Sequence, residues 1–315
     1  MGPRRSTSRP KKGMSPSQRS SFAARCNIDL QANNGYTPLH SVARSGKESV
    51  TKQLIAARCN VDLLDKGGCT PLHIAAIQGH AAVSKQLLAA RCNVDLHAKN
   101  GSTPLHAAAL DGHESVTKQL IAARCSVDLQ MENGCTALYF AAGKGHDDVS
   151  KQLIAARCNV DIQDGDGRTP LHFAAGNGHD AVTKQLIAGR SNVDLQEENG
   201  GTPLHYAAVK GYEAVTKQLL AARCNVDLQT KDGSTPLHCA AENGHATVTK
   251  LLIAARCNVD LQDANGRTPL HFSARNGHAA VTTQLLAARC NVDLQGKDGH
   301  TTLHIAAFKG HAAVT

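Results

Sequence analysis

The chain of 315 residues is 41% hydrophobic but only 3% aromatic and has no tryptophan, so alanine, leucine, isoleucine and valine must fill any core. Its net charge is +8, but six of the 34 basic residues and none of the 26 acidic ones lie in residues 1–21, which leaves a net charge of +2 for residues 22–315. This distribution argues against a nucleic-acid binder, which needs a long positive stripe, and we expect neither a signal peptide nor a membrane span.

Residues 1–21 are rich in serine, arginine, lysine and proline and lack apolar periodicity. We therefore predict a disordered basic tail in this region. Within it, Arg9-Pro10-Lys11-Lys12 resembles a nuclear-import signal, although a solvated tail is the simpler interpretation.

From residue 22 to residue 315 the chain repeats itself every 33 residues without an insertion. The marker is Thr-Pro-Leu-His, and its seven copies begin at Thr37, Thr70, Thr103, Thr169, Thr202, Thr235 and Thr268. Weakened copies begin at Thr136 and Thr301. A fixed period of this length predicts one helical unit copied end to end, in which each copy buries its apolar face against its neighbours.

The period divides this repeat region into a partial unit at 22–34, complete units that start near residues 35, 68, 101, 134, 167, 200, 233 and 266, and a truncated unit at 299–315. We number the units that contain the threonines 1 to 9 in chain order. Neither end shows a polar capping unit, so we expect a fragment of a longer protein or an incomplete gene model, with a C-terminal unit that frays. Unit 4 begins Thr136-Ala137-Leu138-Tyr139, without the proline and the histidine, and we expect it to be the softest internal unit.

Unit 2 shows the predicted elements of one copy. Thr70 is a good N-cap for a first helix, and Gly79 ends that helix. A second helix is predicted from about Ala81 to Ala90. Asn93-Val94-Asp95-Leu96 then alternates polar and apolar residues, and Asn100-Gly101 suits a tight turn, so each unit is predicted to contain a helix, a second helix and a hairpin.

Thr-Pro-Leu-His, followed by Ala-Ala and Gly-His at 33-residue spacing, resembles the ankyrin repeat from about residue 22 to residue 315. The resemblance implies an all-α solenoid, elongated and curved, of stacked helix-turn-helix units with projecting β-hairpin loops. It also implies a concave groove that binds other proteins.

Two registers depart from the pattern of that family. At the end of the second helix, where the family usually has glycine, this chain has Arg58, Arg91, Arg124, Arg157, Arg190, Arg223, Arg256 and Arg289. Either the helices end there in a right-handed conformation, or each unit tolerates a strained arginine with positive φ. The Asp-Val-Asn of the family is inverted to Asn60-Val61-Asp62. We interpret Asp62 and its copies as loop-closing residues that also pair with the arginine four residues before them.

Most cysteines and histidines follow the period rather than a metal-ligand spacing. Eight of the 11 cysteines share one small-residue register, whose copies in stacked units should lie too far apart for disulfides. Fifteen of the 17 histidines fall in the Thr-Pro-Leu-His and Gly-His registers, where we expect hydrogen bonds to the unit's own threonine or to neighbouring backbone. We therefore predict no metal, no cofactor and reduced thiols, which favour an intracellular, cytoplasmic location, with the nucleus as an alternative.

The candidate partner-binding residues occupy registers that vary between units, namely the residue before the threonine and the fourth, seventh and eighth residues after it. By the family resemblance these positions line the concave groove. They are Tyr36, Arg44, Phe140, Lys144, Arg168, Phe173, Tyr206, Lys210, Glu242, Arg267, Phe272 and Arg275. For the four aromatic residues at the fourth position, filling space against the next unit is an equal alternative. Arg168 and Arg267 are instead predicted to contact a partner.

No phosphate-binding loop, nucleophile elbow, HExxH helix or spaced carboxylate pair interrupts the period. We therefore expect a monomeric, non-enzymatic protein-interaction scaffold or adaptor that binds partner proteins through its groove and hairpin tips. The alternative is the substrate-targeting arm of a larger enzyme, such as a kinase or a ubiquitin ligase, whose catalytic domain lies outside this chain. Nucleic-acid binding is a third interpretation that depends on the basic tail alone.

Overall fold

The computed structural model describes residues 26–311, and the predicted tail at 1–21 lies outside them. Within the described range the regular secondary structure consists of 17 helices. The first helices of units 1 to 9 are Pro38–Ser45 (α1), Pro71–Ile77 (α3), Pro104–Leu110 (α5), Ala137–Lys144 (α7), Pro170–Gly176 (α9), Pro203–Lys210 (α11), Pro236–Glu242 (α13), Pro269–Asn276 (α15) and Thr302–Lys309 (α17). The second helices of units 1 to 8 are Glu48–Ala56 (α2), Ala81–Ala89 (α4), Glu114–Ala122 (α6), Asp147–Ala155 (α8), Asp180–Ala188 (α10), Glu213–Ala221 (α12), Ala246–Ala254 (α14) and Ala279–Ala287 (α16). The predicted all-α array of paired helices is confirmed.

The first helix of each unit begins where the Thr-Pro-Leu-His motif predicts. In unit 2, Thr70 is the N-cap and its side chain accepts a hydrogen bond from the backbone N–H of His73. The Nδ1 atom of His73 in turn accepts from the backbone N–H of Thr70 at 3.1 Å, which completes a capping box. After the helix, Gly79 reverses the chain at a φ of 69°. The same box forms at each of the other threonines except Thr136.

The strand predicted by the alternation from Asn93 to Leu96 is wrong. Val94 and Asp95 lie in a turn. The Oδ1 atom of Asn93 accepts from the backbone N–H of Asp95 at 3.0 Å, and this local bond favours a turn over an extended ladder.

The tight turn predicted at the junction of units is present. The backbone N–H of Ala98 donates to the carbonyl of Ser102 at 2.8 Å, and Gly101 between them has a φ of 79°. Between residues 26 and 311, however, β-type pairing is limited to one isolated antiparallel bridge, between Gln295 and Thr301. The projecting loops are therefore turns rather than two-stranded hairpins.

Small and branched apolar side chains fill the space between the helices. In unit 2, Leu72, Ala75 and Ala76 of α3 and Leu87 of α4 have no exposed surface. Each first helix packs against the first helices of its neighbours, and in units 1 to 8 it also packs against the second helix of its own unit. The core is therefore aliphatic, as the composition predicts, and it is continuous along the array.

Two repeating side-chain hydrogen bonds join successive units. Because the Nδ1 of His73 is an acceptor, its Nε2 carries the proton and donates to the carbonyl of Ser102 in unit 3, at 3.1 Å. The carboxylate of Asp62 accepts from the backbone N–H of Asn93 in the next unit, 31 residues further along the chain, at 3.0 Å. The predicted histidine hydrogen bonds are thus present, and the loop-closing aspartate closes the loop of the next unit rather than its own.

The arginine register adopts the strained alternative. All eight arginines have φ between 59° and 67°, in the left-handed region, so the right-handed helix end is wrong. The predicted pairing with the aspartate four residues on is also wrong, since no ion pair joins these two registers between residues 26 and 311. The aspartate carboxylate is engaged by the backbone of the next unit instead, and the arginine side chains lie at the surface.

All 11 cysteines are free. In the shared register, Cys59, Cys92 and Cys125 are among the buried core residues, and Ser191 fills the same slot in its unit. Burial raises the pKa of the Cys92 thiol to about 12, so this thiol stays protonated and unreactive at neutral pH.

Unit 4 lacks the capping box and its histidine bond to the next unit. Thr136 still caps the helix by accepting from the backbone N–H of Tyr139 at 3.2 Å. The Tyr139 ring lies against Phe173 of unit 5, with 4.2 Å between ring centroids. A packing contact therefore replaces a hydrogen bond at this junction, and the softness of unit 4 stays a prediction.

Candidate functional site

The first helices, together with the residues just before them, form one surface that we call the first-helix face. All 12 candidate residues belong to it, and their exposure differs. The exposed ones are Arg44, Lys144, Lys210 and Glu242; the partly buried ones are Tyr36, Phe140, Arg168, Phe173, Tyr206, Arg267 and Arg275; the buried one is Phe272.

The aromatic side chains at the fourth position after the threonine pack between units. In units 4, 6 and 8 the ring stands edge-on to the capping histidine of the preceding unit. The ring centroids are 5.5 Å apart for Tyr206 and His172, and 5.7 Å apart for Phe272 and His238. Phe272 is 6% exposed, which supports the space-filling alternative at that position, whereas Tyr206 keeps part of its ring open to solvent.

Arg168 and Arg267 lie in two copies of one cluster. The Arg168 guanidinium is 2.9 Å from the carboxylate of Asp164, whose side chain is 2% exposed, and 4.8 Å from the centre of the Phe173 ring. In unit 8, Arg267 pairs with Asp263 at 2.8 Å and lies 4.8 Å from the corresponding aromatic ring. Both arginines are therefore held by an aspartate and an aromatic ring within five residues of them in the chain. This packing role was not part of the predicted partner contact.

Replacing Arg168 with alanine is expected to lower the free energy of unfolding by about 1–2 kcal/mol, because the buried Asp164 carboxylate loses its cation. The loss stays moderate because two backbone N–H groups still donate to that carboxylate. Urea denaturation followed by circular dichroism measures the change. Arg44→Ala, at an exposed arginine of α1, is the control and should stay within about 0.5 kcal/mol of the parent. Equal losses in both variants would contradict the role assigned to the ion pair.

A second ion pair links units 7 and 8 on the same face. The Arg275 guanidinium lies 2.9 Å from the Glu242 carboxylate, so these two charges largely neutralise each other. Arg44, Lys144 and Lys210 take part in no ion pair with any residue between 26 and 311. The candidates that remain available for an external charge are therefore cationic.

Three apolar residues of the internal units on this face are not among the 12 candidates predicted from the sequence. Ile77, Leu110 and Val209, all at the seventh position after the threonine, are each 38% exposed. Arg44 and Glu242 occupy the same register in other units. An apolar side chain in a register that is polar in other units was therefore the sequence feature that could have identified these exposed residues.

A pocket of about 310 Å³ opens on the first-helix face in units 5 to 7, where Tyr206, Val209 and Cys239 contribute to its lining. In the part of the chain that the structure describes, no group of three or more His, Cys, Asp or Glu side chains is arranged to hold a metal ion. None of the 17 described helices has the length and apolarity needed to cross a bilayer.

Comparison with known proteins agrees with this architecture. The family model described as ankyrin repeats (3 copies) matches residues 18–97, 81–164, 144–230, 210–295 and 237–315. Among solved structures, the crystal structure of the human ASB11 ankyrin repeat domain is similar, at 27% sequence identity and a TM-score of 0.64, over 71% of this chain and 99% of that chain. The search of curated proteins found no match. Because the family model matches the chain from residue 18 to residue 315, this protein belongs to the ankyrin repeat family.

Proposed function

We propose that this chain is a monomeric, non-catalytic scaffold or adaptor that binds partner proteins through its first-helix face and turn tips. Ankyrin repeat domains are in general protein-interaction modules, and ankyrin repeats, which are typically non-catalytic, are the family found in this chain. The protein partners of this chain are proposed on that basis.

One observation carries the proposal: the first-helix face exposes apolar side chains that the fold does not use. Ile77 and Leu110 are exposed on neighbouring units, and the cations Arg44 and Lys144 lie one unit beyond them on either side. By contrast, the residues that repeat are engaged in caps, core and links between units. An apolar row between charged ends is typical of a protein interface, in which an apolar centre is surrounded by a polar rim.

The proposal includes an intracellular setting, because 11 free cysteines suit a reducing compartment. We do not propose nucleic acid as a partner, because residues 22–315 carry a net charge of only +2.

Affinity capture with the immobilised chain tests the proposal. Changing Ile77, Leu110 and Val209 together to aspartate should abolish capture of partner proteins from a cell lysate, because charged side chains then replace the exposed apolar row. The matched control carries Val50→Asp and Leu286→Asp, which alter similarly exposed apolar residues on second helices. Circular dichroism checks that both variants fold. Loss of the captured proteins in the control, with retention in the triple variant, would place binding on the opposite side of the array.

A further inference from the structure

The pocket in units 5 to 7 is a local feature of the array. It measures about 310 Å³ and lies between the first helices α9, α11 and α13 and the turns that precede them. Its lining consists of Gly176, Glu197, Gly201, His205, Tyr206, Val209, Lys210, Thr230 and Cys239. That volume is at the lower end of the range for binding pockets, about 300–1,000 Å³.

The pocket exists because three variable positions carry small residues. Cys239 occupies the register in which the next unit has Phe272. Gly201 precedes its threonine, where other units carry a side chain, and a Cβ there would lie 2.8 Å from the Glu197 carboxylate and 3.3 Å from the Tyr206 ring. A Cβ at Gly176 would lie 3.0 Å from the same ring. The Tyr206 ring therefore lies against both glycines, and the pocket is open beside it where Cys239 is smaller than the phenylalanine of the next unit.

The polar groups around the pocket already have partners. The Glu197 carboxylate accepts from the backbone N–H groups of Asn199 and Gly201, at 2.9 and 2.8 Å. The Nε2 of His205 donates to the carbonyl of Ser234 at 3.1 Å. The pocket consequently offers a guest mainly apolar surface, from the Tyr206 ring and its neighbours.

Lys210 supplies a charge at the mouth. Its side chain is exposed, lines the pocket, and forms no ion pair with any residue in 26–311. It lies one helical turn after Tyr206 on α11, which separates the two Cβ atoms by about 5–6 Å. In an extended peptide, residues i and i+2 point to the same side and lie about 7 Å apart, a spacing that matches this separation.

We propose that the pocket receives an apolar side chain from an extended segment of a partner protein, and that an acidic residue two positions from this anchor pairs with Lys210. The inference rests on the proposed function and specifies the chemistry of the partner. The apolar side chain fills the space against Tyr206, and the carboxylate determines the register of the segment along the face.

Peptide selection on the full chain tests the inference and does not require that the partner be identified. A phage-displayed library of random 12-residue peptides is selected on the immobilised protein, and enriched peptides are labelled and titrated by fluorescence polarisation. The enriched set should share an apolar residue with Asp or Glu two positions away.

Two pairs of variants localise the binding of these peptides. Cys239→Phe introduces a side chain that this register holds in the next unit, so it fills the pocket within the array pattern, and it should weaken binding about thirtyfold or more. Ala107→Phe makes the matched change at the same register of unit 3 and should leave affinity unchanged. Lys210→Glu should weaken binding of the selected peptides, and replacing the acidic residue of a peptide with lysine should restore its binding to this variant. Lys184→Glu, at an exposed lysine of the second helix α10 that forms no ion pair with any residue in 26–311, should do neither.

The outcomes separate this inference from the proposed function. Peptides that survive Cys239→Phe but are lost with the aspartate changes at Ile77, Leu110 and Val209 would overturn the pocket and retain the first-helix face as a binding surface. If the enriched peptides lack the acidic residue, or if they bind the Lys210→Glu variant as tightly as the parent, the proposed pairing with Lys210 would be overturned. If selection on the parent protein enriches no peptide more strongly than selection on the Cys239→Phe variant, the inference as a whole would be overturned.

Discussion

The free energy of unfolding of the array is expected to fall steeply as the pH drops from about 6.5 to about 4. Burial lowers the pKa of His73, His106 and His205 to about 4, from an ordinary value of 6.5. Burial also lowers the pKa of four other histidines of this register, which are His40, His172, His238 and His271. The geometry gives the reason: the free nitrogen, Nδ1, already accepts a backbone N–H, so a proton there would place two donors face to face.

The direction of the effect follows from proton uptake. Between pH 6.5 and 4 these histidines are protonated in the unfolded chain but neutral in the folded one, so unfolding takes up protons and acid favours it. The stability that the neutral histidines contribute is fully present above about pH 6.5 and is lost as the pH falls towards 4. Each histidine with a folded pKa near 4 changes the free energy of unfolding by about 1.4 kcal/mol per pH unit, and the three together by on the order of 10 kcal/mol over the window. A change of that size is comparable to the whole stability of a typical domain.

Urea denaturation between pH 8 and pH 4, followed by circular dichroism, measures this dependence. The slope of the free energy against pH should reach about 4 kcal/mol per pH unit or more below pH 6, equivalent to three or more protons. His205→Tyr, which copies the residue that unit 4 carries at this register, should reduce the slope by about one proton. A free energy that stays level down to pH 5, or an unchanged slope in the variant, would show that the buried histidines do not control acid stability.

Glycine in the arginine register is expected to stabilise the array. The eight arginines have φ near 60°, a region that costs a residue with a Cβ about 1 kcal/mol or more, and their side chains form no ion pairs between residues 26 and 311. Glycine removes that strain but loses more backbone conformational entropy on folding. Each change should therefore raise the free energy of unfolding by about 0.5–1 kcal/mol. Arg91→Gly, Arg223→Gly and Arg256→Gly combined should therefore raise the free energy of unfolding by about 1.5–3 kcal/mol.

The matched control replaces the same three arginines with alanine, which removes the charge and keeps the strained backbone. We expect the alanine variant to remain within about 1 kcal/mol of the parent, and the midpoint of urea denaturation to rise only in the glycine variant. An equal rise in both variants would assign the gain to reduced charge repulsion along the arginine row rather than to the backbone.

The candidate site was predictable in outline. Variation between units marks the first-helix face, because positions that form caps and core barely change while Arg44, Ile77 and Leu110 replace one another at one register. The ion-pair partner of each charged side chain on this face could not be predicted from that variation. Arg168 and Glu242 look alike as variable charged residues, yet Arg168 is bound to a buried aspartate four residues before it and Glu242 pairs with Arg275 of the next unit.

The local sequence was sufficient for the helices, their caps and their order, because an N-capping threonine, a following proline and an apolar face act within a few residues of one another. Three features depended on the stacked structure. The partner of Asp62 lies 31 residues away, across a unit boundary, and its capture by that backbone leaves the arginines unpaired between residues 26 and 311. The left-handed φ of each arginine accompanies a helix end at which the next residue, such as Cys59, is buried in the stack and its backbone N–H donates to the carbonyl of Leu54, which outweighs a preference of about 1 kcal/mol. The pocket beside Tyr206 arises because Gly176, Gly201 and Cys239, each ordinary when considered alone, come together only when three units stack.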